Sequence, residues 1–380
     1  MRIILSILTM LFVVGGNVYS QQSILANGEL TASADDKTAL KILTPQNLKC
    51  DILVETHTDK TVKVEFNKWA NAKSLKQEQR FVDLIDIKLG DNTSADENLR
   101  LRVLTPISAP WEGSDYSAGV NFEIWVPENF EIESRNSYST IVLLGPFNGV
   151  RVDNEYGPIR VEDVRGRLVV KTSYSEVELS GIEGEISVET SYGRIRASRL
   201  TISENPGYFE TSYGDIMLDN IEGPVKVLTS YDSIIASDID AGSGSVVLRT
   251  SYGKIKAENI KGEIVCETSY NPIDLENVNF THGINMIETK YSPINLDNMN
   301  INEARLFVNN TYGSINISLV PDVSARLILS VDEGGSIHTS GFSIKPLAME
   351  RNRLEGIIGN GESKIELNVN GIGEINIRGK

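Results

Sequence analysis

The sequence is poor in cysteine, histidine and positive charge, and each shortage excludes a class of protein. Two cysteines are too few for the disulfide framework of a small secreted domain. The three histidines, His57, His282 and His338, lack metal-site spacing. The 36 Lys+Arg against 52 Asp+Glu give a formal net charge of −16, which argues against nucleic acid as a partner. We therefore predict no metal, no cofactor and no nucleic-acid partner.

The first twenty residues have the pattern of a secretory signal peptide. Arg2 gives a positive start, residues 3–15 are mostly apolar, and residues 18–20 form a small-residue cleavage pattern before Gln21. We expect export to the periplasm, the cell surface or the extracellular space. No later run of 18 apolar residues occurs, so we expect no transmembrane span.

One short phrase returns ten times between residues 135 and 316, typically as Thr-Ser-Tyr-Gly-x-Ile. Its tyrosines are separated by 18 residues five times and by 21 residues four times. A fixed period near 20 residues is typical of a solenoid, whose units bury their apolar faces by stacking. The ten tyrosines are Tyr138, Tyr156, Tyr174, Tyr192, Tyr213, Tyr231, Tyr252, Tyr270, Tyr291 and Tyr312.

Aligning the copies on the tyrosine shows which positions face inward. The residue three after the tyrosine is Ile or Val in every copy, and the residue four before it is apolar in all but the first, which has Ser134. Polar residues alternate with these, which is the period of strands with one buried face. We predict an all-β fold, a single-stranded, right-handed parallel β-helix. Cys266 occupies an inward position, so we interpret it as a core residue rather than a disulfide partner of Cys50.

The repeat also predicts the domain boundaries. Residues 21–133 lack the phrase but contain alternating segments, and we expect them to form a strand-rich cap, because an open solenoid end is an unpaired edge. The β-helix then spans residues 134–380 with atypical C-terminal rungs. We expect a loop over residues 346–362 and a last rung near residues 367–375.

The tyrosine column is the strongest candidate for a functional site. Its parity with the buried positions favours rings that point inward or lie along a corner, stacked from rung to rung as structural elements. The alternative is that the rings face a groove and bind sugars. The candidate ligand-binding residues are Tyr174, Tyr192, Tyr213, Tyr231, Tyr252, Tyr270 and Tyr291.

Two further sets of columns favour structural roles. A column of threonines two residues before the tyrosines has the inward phase, so hydroxyl bonding between rungs is favoured over an ice-binding array. Opposite charges in neighbouring rungs, such as Glu176 and Arg196, predict exposed ion pairs. The threonines are Thr172, Thr190, Thr211, Thr229, Thr250, Thr268 and Thr289.

Catalysis would require a converging group of acids and bases. Asp215 and Asp232, and Glu267 and Glu288, lie in neighbouring rungs, but they recur as columns rather than as a separate cluster. We therefore predict no catalytic residues and no enzymatic activity. A β-helix carbohydrate-active enzyme, such as a polysaccharide lyase or hydrolase, remains the alternative.

The chain resembles the bacterial putative-adhesin family of exported β-helix domains, whose members are largely of unknown function. The resemblance spans roughly residues 47–377. It rests on residues 122–127 (FEIWVP), the Thr-x-x-Gly-x-Ile rungs, residues 319–324 (LVPDVS) and the closing run 361–377. It implies a fold and an envelope location but supplies no catalytic residues. The tyrosine in ten consecutive rungs departs from the looser variation expected of the family.

These observations predict a non-catalytic, adhesin-like or scaffolding β-solenoid of the bacterial cell envelope. Its long faces would bind a glycan, another polymer or an envelope protein through many weak, repeated contacts. A structural spacer without any ligand is a further alternative.

Overall fold

The computed structural model describes residues 24–90, 98–332 and 334–380, which form a solenoid of short parallel strands. Equivalent residues of successive rungs pair in register: Ile141 with Ile159, and Ile159 with Val177. The predicted all-β parallel β-helix is confirmed. The predicted signal peptide, residues 1–20, lies outside the described residues.

The N-terminal part combines parallel and antiparallel strands with one short helix. Ser74 caps helix α1 by accepting the N–H of Gln77. The elements are β1 (Ile24–Ser33), β2 (Ala39–Leu43), β3 (Lys49–His57), β4 (Thr61–Asn71), α1 (Leu75–Asp83), β5 (Asp86–Gly90), β6 (Asn98–Leu104) and β7 (Ser117–Pro127).

The central rungs pair in parallel throughout. They comprise β8 (Glu131–Tyr138), β9 (Ile141–Tyr156), β10 (Ile159–Thr172), β11 (Val177–Gly184), β12 (Ile186–Glu189), β13 (Ile195–Ile202), β14 (Gly207–Glu210), β15 (Ile216–Glu222), β16 (Val225–Leu228), β17 (Ile234–Arg249), β18 (Ile255–Glu267), β19 (Ile273–Phe280), β20 (Ile284–Thr289), β21 (Ile294–Ile301), β22 (Arg305–Asn310) and β23 (Ile315–Leu319).

The C-terminal strands do not stack in chain order. The strands β28 and β29 lie between the β22–β23 rung and the β24–β25 rung, and pair with both in parallel. The prediction of a last rung near residues 367–375 is therefore wrong in position. These elements are β24 (Ala325–Val331), β25 (Ser336–Ser340), β26 (Lys345–Glu350), β27 (Arg353–Ile358), β28 (Ser363–Val369) and β29 (Glu374–Gly379).

The loop expected over residues 346–362 is also wrong. Most of this segment forms the antiparallel hairpin β26–β27, and β27 continues antiparallel to β24. The amino-terminal end is arranged similarly, because the rung made of β2 and β3 lies between the β6–β7 rung and the β8–β9 rung. At each end, a rung from near the chain terminus is thus enclosed between two others.

The core follows the predicted inward columns. Val152, Phe209 and Cys266 are fully buried four residues before their tyrosines. Burying one such side chain stabilises the fold by about 1.5–3 kcal/mol. Cys50 and Cys266 are both free and buried, and burial raises the pKa of both thiols.

A column of left-handed backbone conformations turns eight successive rungs, those of Tyr156 to Tyr291, seven residues after the tyrosine. Asn and Asp tolerate this conformation because their short side chains bond locally. Gly181 occupies the position in one rung and Arg199 in another, at φ values of 69° and 54°. The remaining members are Asp163, Asn220, Asp238, Asn259, Asn277 and Asn298.

Arg199→Asn should stabilise the protein. Arg199 is exposed, and a left-handed residue with an ordinary side chain costs roughly 1–2 kcal/mol, which Asn partly avoids. We expect the free energy of unfolding to rise by about 0.5–1 kcal/mol in urea denaturation. Thr201→Asn, at an exposed strand position nearby, serves as the control and should not raise the free energy of unfolding. A loss of stability in Arg199→Asn would contradict the strain argument.

Candidate functional site

The tyrosine ladder, which we define as the ten tyrosines of the repeat, is one continuous stack of rings. Neighbouring ring centroids lie 4.7–5.5 Å apart. Ring planes are nearly parallel, with the largest tilt, 19°, between Tyr270 and Tyr291. Each spacing of about 5 Å is close to the distance between neighbouring strands. Nine such spacings give a ladder on the order of 45 Å long.

The ladder lies on the surface, so of the two arrangements that the sequence favours, the rings lie along a corner of the rungs rather than pointing inward. Exposure ranges from 45% at Tyr252 to 55% at Tyr312, and only Tyr156 is half-buried. The alternation of a strand does not continue through the tyrosine. Instead the chain bends at Ser-Tyr-Gly, and both the serine and the tyrosine turn outward. The predicted stacking from rung to rung is present.

Backbone hydrogen bonds continue through this bend and fix the ladder spacing. The carbonyl of Ser173 accepts the N–H groups of Ser191 and Tyr192, at 3.3 and 2.9 Å. The carbonyl of Ser191 in turn accepts those of Ser212 and Tyr213, at 3.1 and 3.0 Å. Each tyrosine is therefore held one rung from the next by main-chain geometry.

Buried threonine hydroxyls close the bend from inside. The hydroxyl of Thr211 accepts the N–H of Gly214 at 3.2 Å and donates to the carbonyl of Gly193, in the preceding rung, at 3.1 Å. Thr190 and Thr250 accept the N–H of their own rung's glycine in the same way. Inter-rung hydroxyl bonding was predicted, but these hydroxyls bond backbone groups rather than each other.

In the rungs of Tyr192 and Tyr213, a close approach between rungs requires glycine directly after the tyrosine. A Cβ on Gly193 would lie 1.7 Å from the carbonyl oxygen of Ser175, and one on Gly214 would lie 2.0 Å from that of Gly193. The turn brings the Cα of one rung against the carbonyl of its neighbour. Glycine is the residue that permits such contact.

The ring faces are covered and the ring edges are exposed. Each inner ring has a neighbour on both faces. At the C-terminal end Gly371 covers Tyr312, since a Cβ there would lie 3.0 Å from its Cδ1. The exposed part of the ladder is therefore a row of ring edges and phenol hydroxyls.

A row of serines runs beside the central part of the ladder. Each serine directly precedes its tyrosine and is half-buried or exposed. None of the hydrogen bonds found in residues 24–90, 98–332 and 334–380 uses their side-chain hydroxyls. We call the six serines and their tyrosines the Tyr–Ser stripe; it consists of Ser173–Tyr174, Ser191–Tyr192, Ser212–Tyr213, Ser230–Tyr231, Ser251–Tyr252 and Ser269–Tyr270.

Charged residues flank the stripe as paired columns. Arg196 lies 2.6 Å from Glu176, so the predicted pairing between neighbouring rungs is present. Arg194 lies 3.4 Å from Asp215. Such exposed pairs stabilise the fold by about 0–1 kcal/mol each.

The carboxylates considered for catalysis are engaged in local contacts. Asp215 and Asp232 both accept the N–H of Ser233, at 3.3 and 3.0 Å. Burial, together with a hydrogen bond to Asp215, raises the pKa of Asp232. Glu267 lies 3.2 Å from Arg249. Among the residues that the structure describes, no group of three or more His, Cys, Asp or Glu could hold a metal ion.

The three histidines also have local partners rather than shared ones. His57 contacts the carbonyl of Thr61, His282 contacts Thr281, and His338 contacts Ser336. In the described part of the chain, no helix combines the length and apolar character needed to cross a membrane.

Neighbouring phenols affect one another's ionisation. The pKa of Tyr213 is raised, chiefly because a charge on Tyr231 would repel one on Tyr213, with burial and Tyr192 as further causes. The pKa of Tyr156 is also raised, first by burial and then by Glu155 and its two neighbouring tyrosines. A negative charge on Tyr231 thus makes the ionisation of Tyr213 harder.

Thr211→Val should destabilise the protein without changing its shape. Valine has a similar volume but leaves the buried N–H of Gly214 and the carbonyl of Gly193 without the hydroxyl. We expect a loss of about 1–3 kcal/mol in the free energy of unfolding, measured by urea denaturation. Thr211→Ser retains the hydroxyl and should lower the free energy of unfolding by a smaller amount. Equal losses of stability in both variants would show that side-chain packing, rather than hydrogen bonding, causes the destabilisation.

Tyr213 should ionise at a higher pH than free tyrosine. Free tyrosine ionises near pH 10, and repulsion by a charge on Tyr231, together with burial, raises the pKa of Tyr213 in the folded protein. Since this folded pKa is raised, the stability that Tyr213 contributes is complete below about pH 10 and is lost as the pH rises through the folded value. The difference in phenolate absorbance between the parent and Tyr213→Phe should therefore appear above that pH. A difference centred on the pH at which free tyrosine ionises would contradict this coupling.

Comparisons with known proteins indicate a family but no activity. No curated protein matches the chain. One solved structure, described as a putative cell adhesion protein from Clostridium sporogenes, aligns with 93% of this chain and 99% of that chain, at 11% identity and a TM-score of 0.18. That score is too low to carry an argument. The model of the Toastrack DUF4097 family matches residues 184–378, just over half of the sequence, and on that match the chain belongs to the Toastrack DUF4097 family.

Proposed function

We propose that the protein is an exported, non-catalytic scaffold of the bacterial cell envelope that binds an elongated polymer or protein along the Tyr–Ser stripe. The observation that carries this proposal is the exposed stack of ten tyrosine rings. Large exposed aromatic surfaces are uncommon on soluble proteins and often mark binding sites. The predicted signal peptide supports export.

The ladder is preorganised for binding. Each ring is fixed between two neighbours, and its backbone is bonded to the adjacent rungs. A partner would therefore order few side chains on contact, which lowers the entropic cost of binding. The same contact recurs in every rung, so weak individual contacts add up along an elongated partner.

The charged columns do not suggest an enzyme. Arg194 with Asp215 and Lys254 with Asp274 form pairs along the flank of the stripe rather than a converging group. A glycosidase requires two carboxyl groups placed on either side of a substrate. Asp215 and Asp232 instead share one backbone N–H. This arrangement supports a binding role over catalysis.

Replacing three central tyrosines should weaken envelope binding. The triple variant Tyr192→Ser, Tyr213→Ser and Tyr231→Ser removes half-exposed rings, so the fold should survive, as circular dichroism would check. We expect labelled mature protein, residues 21–380, to bind isolated bacterial envelopes at least about tenfold more weakly in this variant, because repeated contacts are lost together. Tyr208→Ser is the control, since Tyr208 lies outside the ladder and its hydroxyl bonds Glu210. Equal binding by triple variant and parent would instead support the spacer.

A further inference from the structure

We infer that the Tyr–Ser stripe binds a neutral, straight glycan chain that lies parallel to the solenoid axis with about one sugar per rung. This inference rests on the proposed function and names the partner of the same site. In this inference, hydrogen bonds between the stripe and the sugar hydroxyl groups are the main contacts, rather than stacking of sugars on aromatic faces.

The exposed atoms of the ladder favour contacts with the oxygen atoms of a ligand. The ring faces of Tyr192, Tyr213 and Tyr231 are covered by neighbouring rings, so a sugar cannot stack on them. Aromatic edges carry partial positive charge, whereas the covered faces carry the negative charge. The exposed edges and phenol hydroxyls therefore attract the hydroxyl and ether oxygens of a ligand.

The serine row provides a second line of hydrogen-bonding groups. Within the described residues, the serine hydroxyls of the stripe enter no hydrogen bond, whereas Ser175 and Ser292, one residue after their tyrosines, bond backbone groups. Each hydroxyl offers one donor and two acceptor lone pairs. Six successive rungs thus present two hydroxyls each toward solvent, a density that a hydroxyl-rich ligand matches.

The spacing selects a straight chain. Ring centroids from Tyr174 to Tyr270 are 4.7–5.2 Å apart. An extended β-1,4-linked pyranose chain advances by nearly one such step per sugar. Contacts along such a chain stay in register, so each additional sugar adds affinity. A coiled glycan would leave the stripe after a few units.

Charge selects a neutral chain over an anionic one. The stripe contains only uncharged side chains, and the ion pairs beside it compensate each other. The whole chain carries a net charge of −16, which repels polyanions. Acidic polysaccharides are therefore disfavoured relative to neutral ones.

The backbone of the stripe disfavours a peptide strand. Strand addition requires free N–H and C=O groups along an edge. Here the N–H of Tyr213 is bonded to the carbonyl of Ser191, and that of Tyr231 to the carbonyl of Ser212. These N–H groups are not available to an added strand, so the stripe suits a glycan bound by side chains better than an extended peptide.

The test is a calorimetric titration of the mature protein with β-1,4-linked oligomers of glucose and of N-acetylglucosamine, two to eight units long. We expect affinity to rise with length up to about six units in at least one series, since the stripe has six rungs, and α-1,4-linked glucose oligomers to bind more weakly. The triple variant Tyr192→Phe, Tyr213→Phe and Tyr231→Phe keeps the stacked rings but removes three hydroxyls. It should bind at least about tenfold more weakly. Tyr208→Phe is the control and should bind like the parent.

The outcomes separate this inference from the proposed function. If neither β-1,4-linked series binds, or the Phe triple variant binds them like the parent, the glycan inference is overturned. Envelope binding that still depends on the tyrosines would then leave the scaffold proposal standing, with another polymer or a protein as partner. If envelope binding is the same in the Ser triple variant, the proposed function itself fails.

Discussion

The parallel, in-register hydrogen bonding between rungs is the constraint on which the rest of the structure depends. It places each residue directly above its equivalent in the neighbouring rung, as Ile195 lies above Val177 and below Ile216. Any residue type repeated in the sequence must then become a column at the strand spacing. Stacked tyrosines, paired charges and aligned hydroxyls are all consequences of that one geometry. The bend at Ser-Tyr-Gly belongs to the same hydrogen-bonding pattern, since its amides bond the serine carbonyl of the preceding rung.

The same constraint creates open edges at both ends, and the chain protects them in the same way twice. The first complete rung, β2 and β3, and the last, β28 and β29, each lie between two other rungs. A chain terminus held on both sides is less free to fray than one stacked on a single neighbour. The outermost strands then become antiparallel, β4 with β7 and β27 with β24. On the exposed strand β26, Pro346 and an adjacent irregularity in register disfavour pairing with another molecule.

The repeat allowed the fold to be predicted closely, while the surface and the ends followed from local geometry that the repeat does not encode. Columns such as Ile255 and Ile273 define the buried strands directly. The tyrosines share the parity of those columns but sit in a bend, where the alternation of a strand no longer applies. The Asn and Asp residues seven positions after the tyrosine are a sequence signal for the left-handed turn, but they lie outside the apolar columns that predict the strands. At the C-terminus the phrase decays, so nothing in the sequence distinguishes an enclosed rung from a terminal one.

Inner and outer hydroxyls of the same bend have separate roles, which explains how such a solenoid can acquire a binding surface. Thr211 and Ser212 are adjacent, yet the threonine hydroxyl bonds two backbone groups in the interior and the serine hydroxyl faces outward. Changing the first alters the fold, because buried backbone groups lose a partner. Changing the second leaves the rung intact. Stacking removes the ring faces from contact but aligns the edges and hydroxyls. On the glycan proposal, these aligned edges and hydroxyls are what would select ligands with oxygen atoms at the spacing of the rungs.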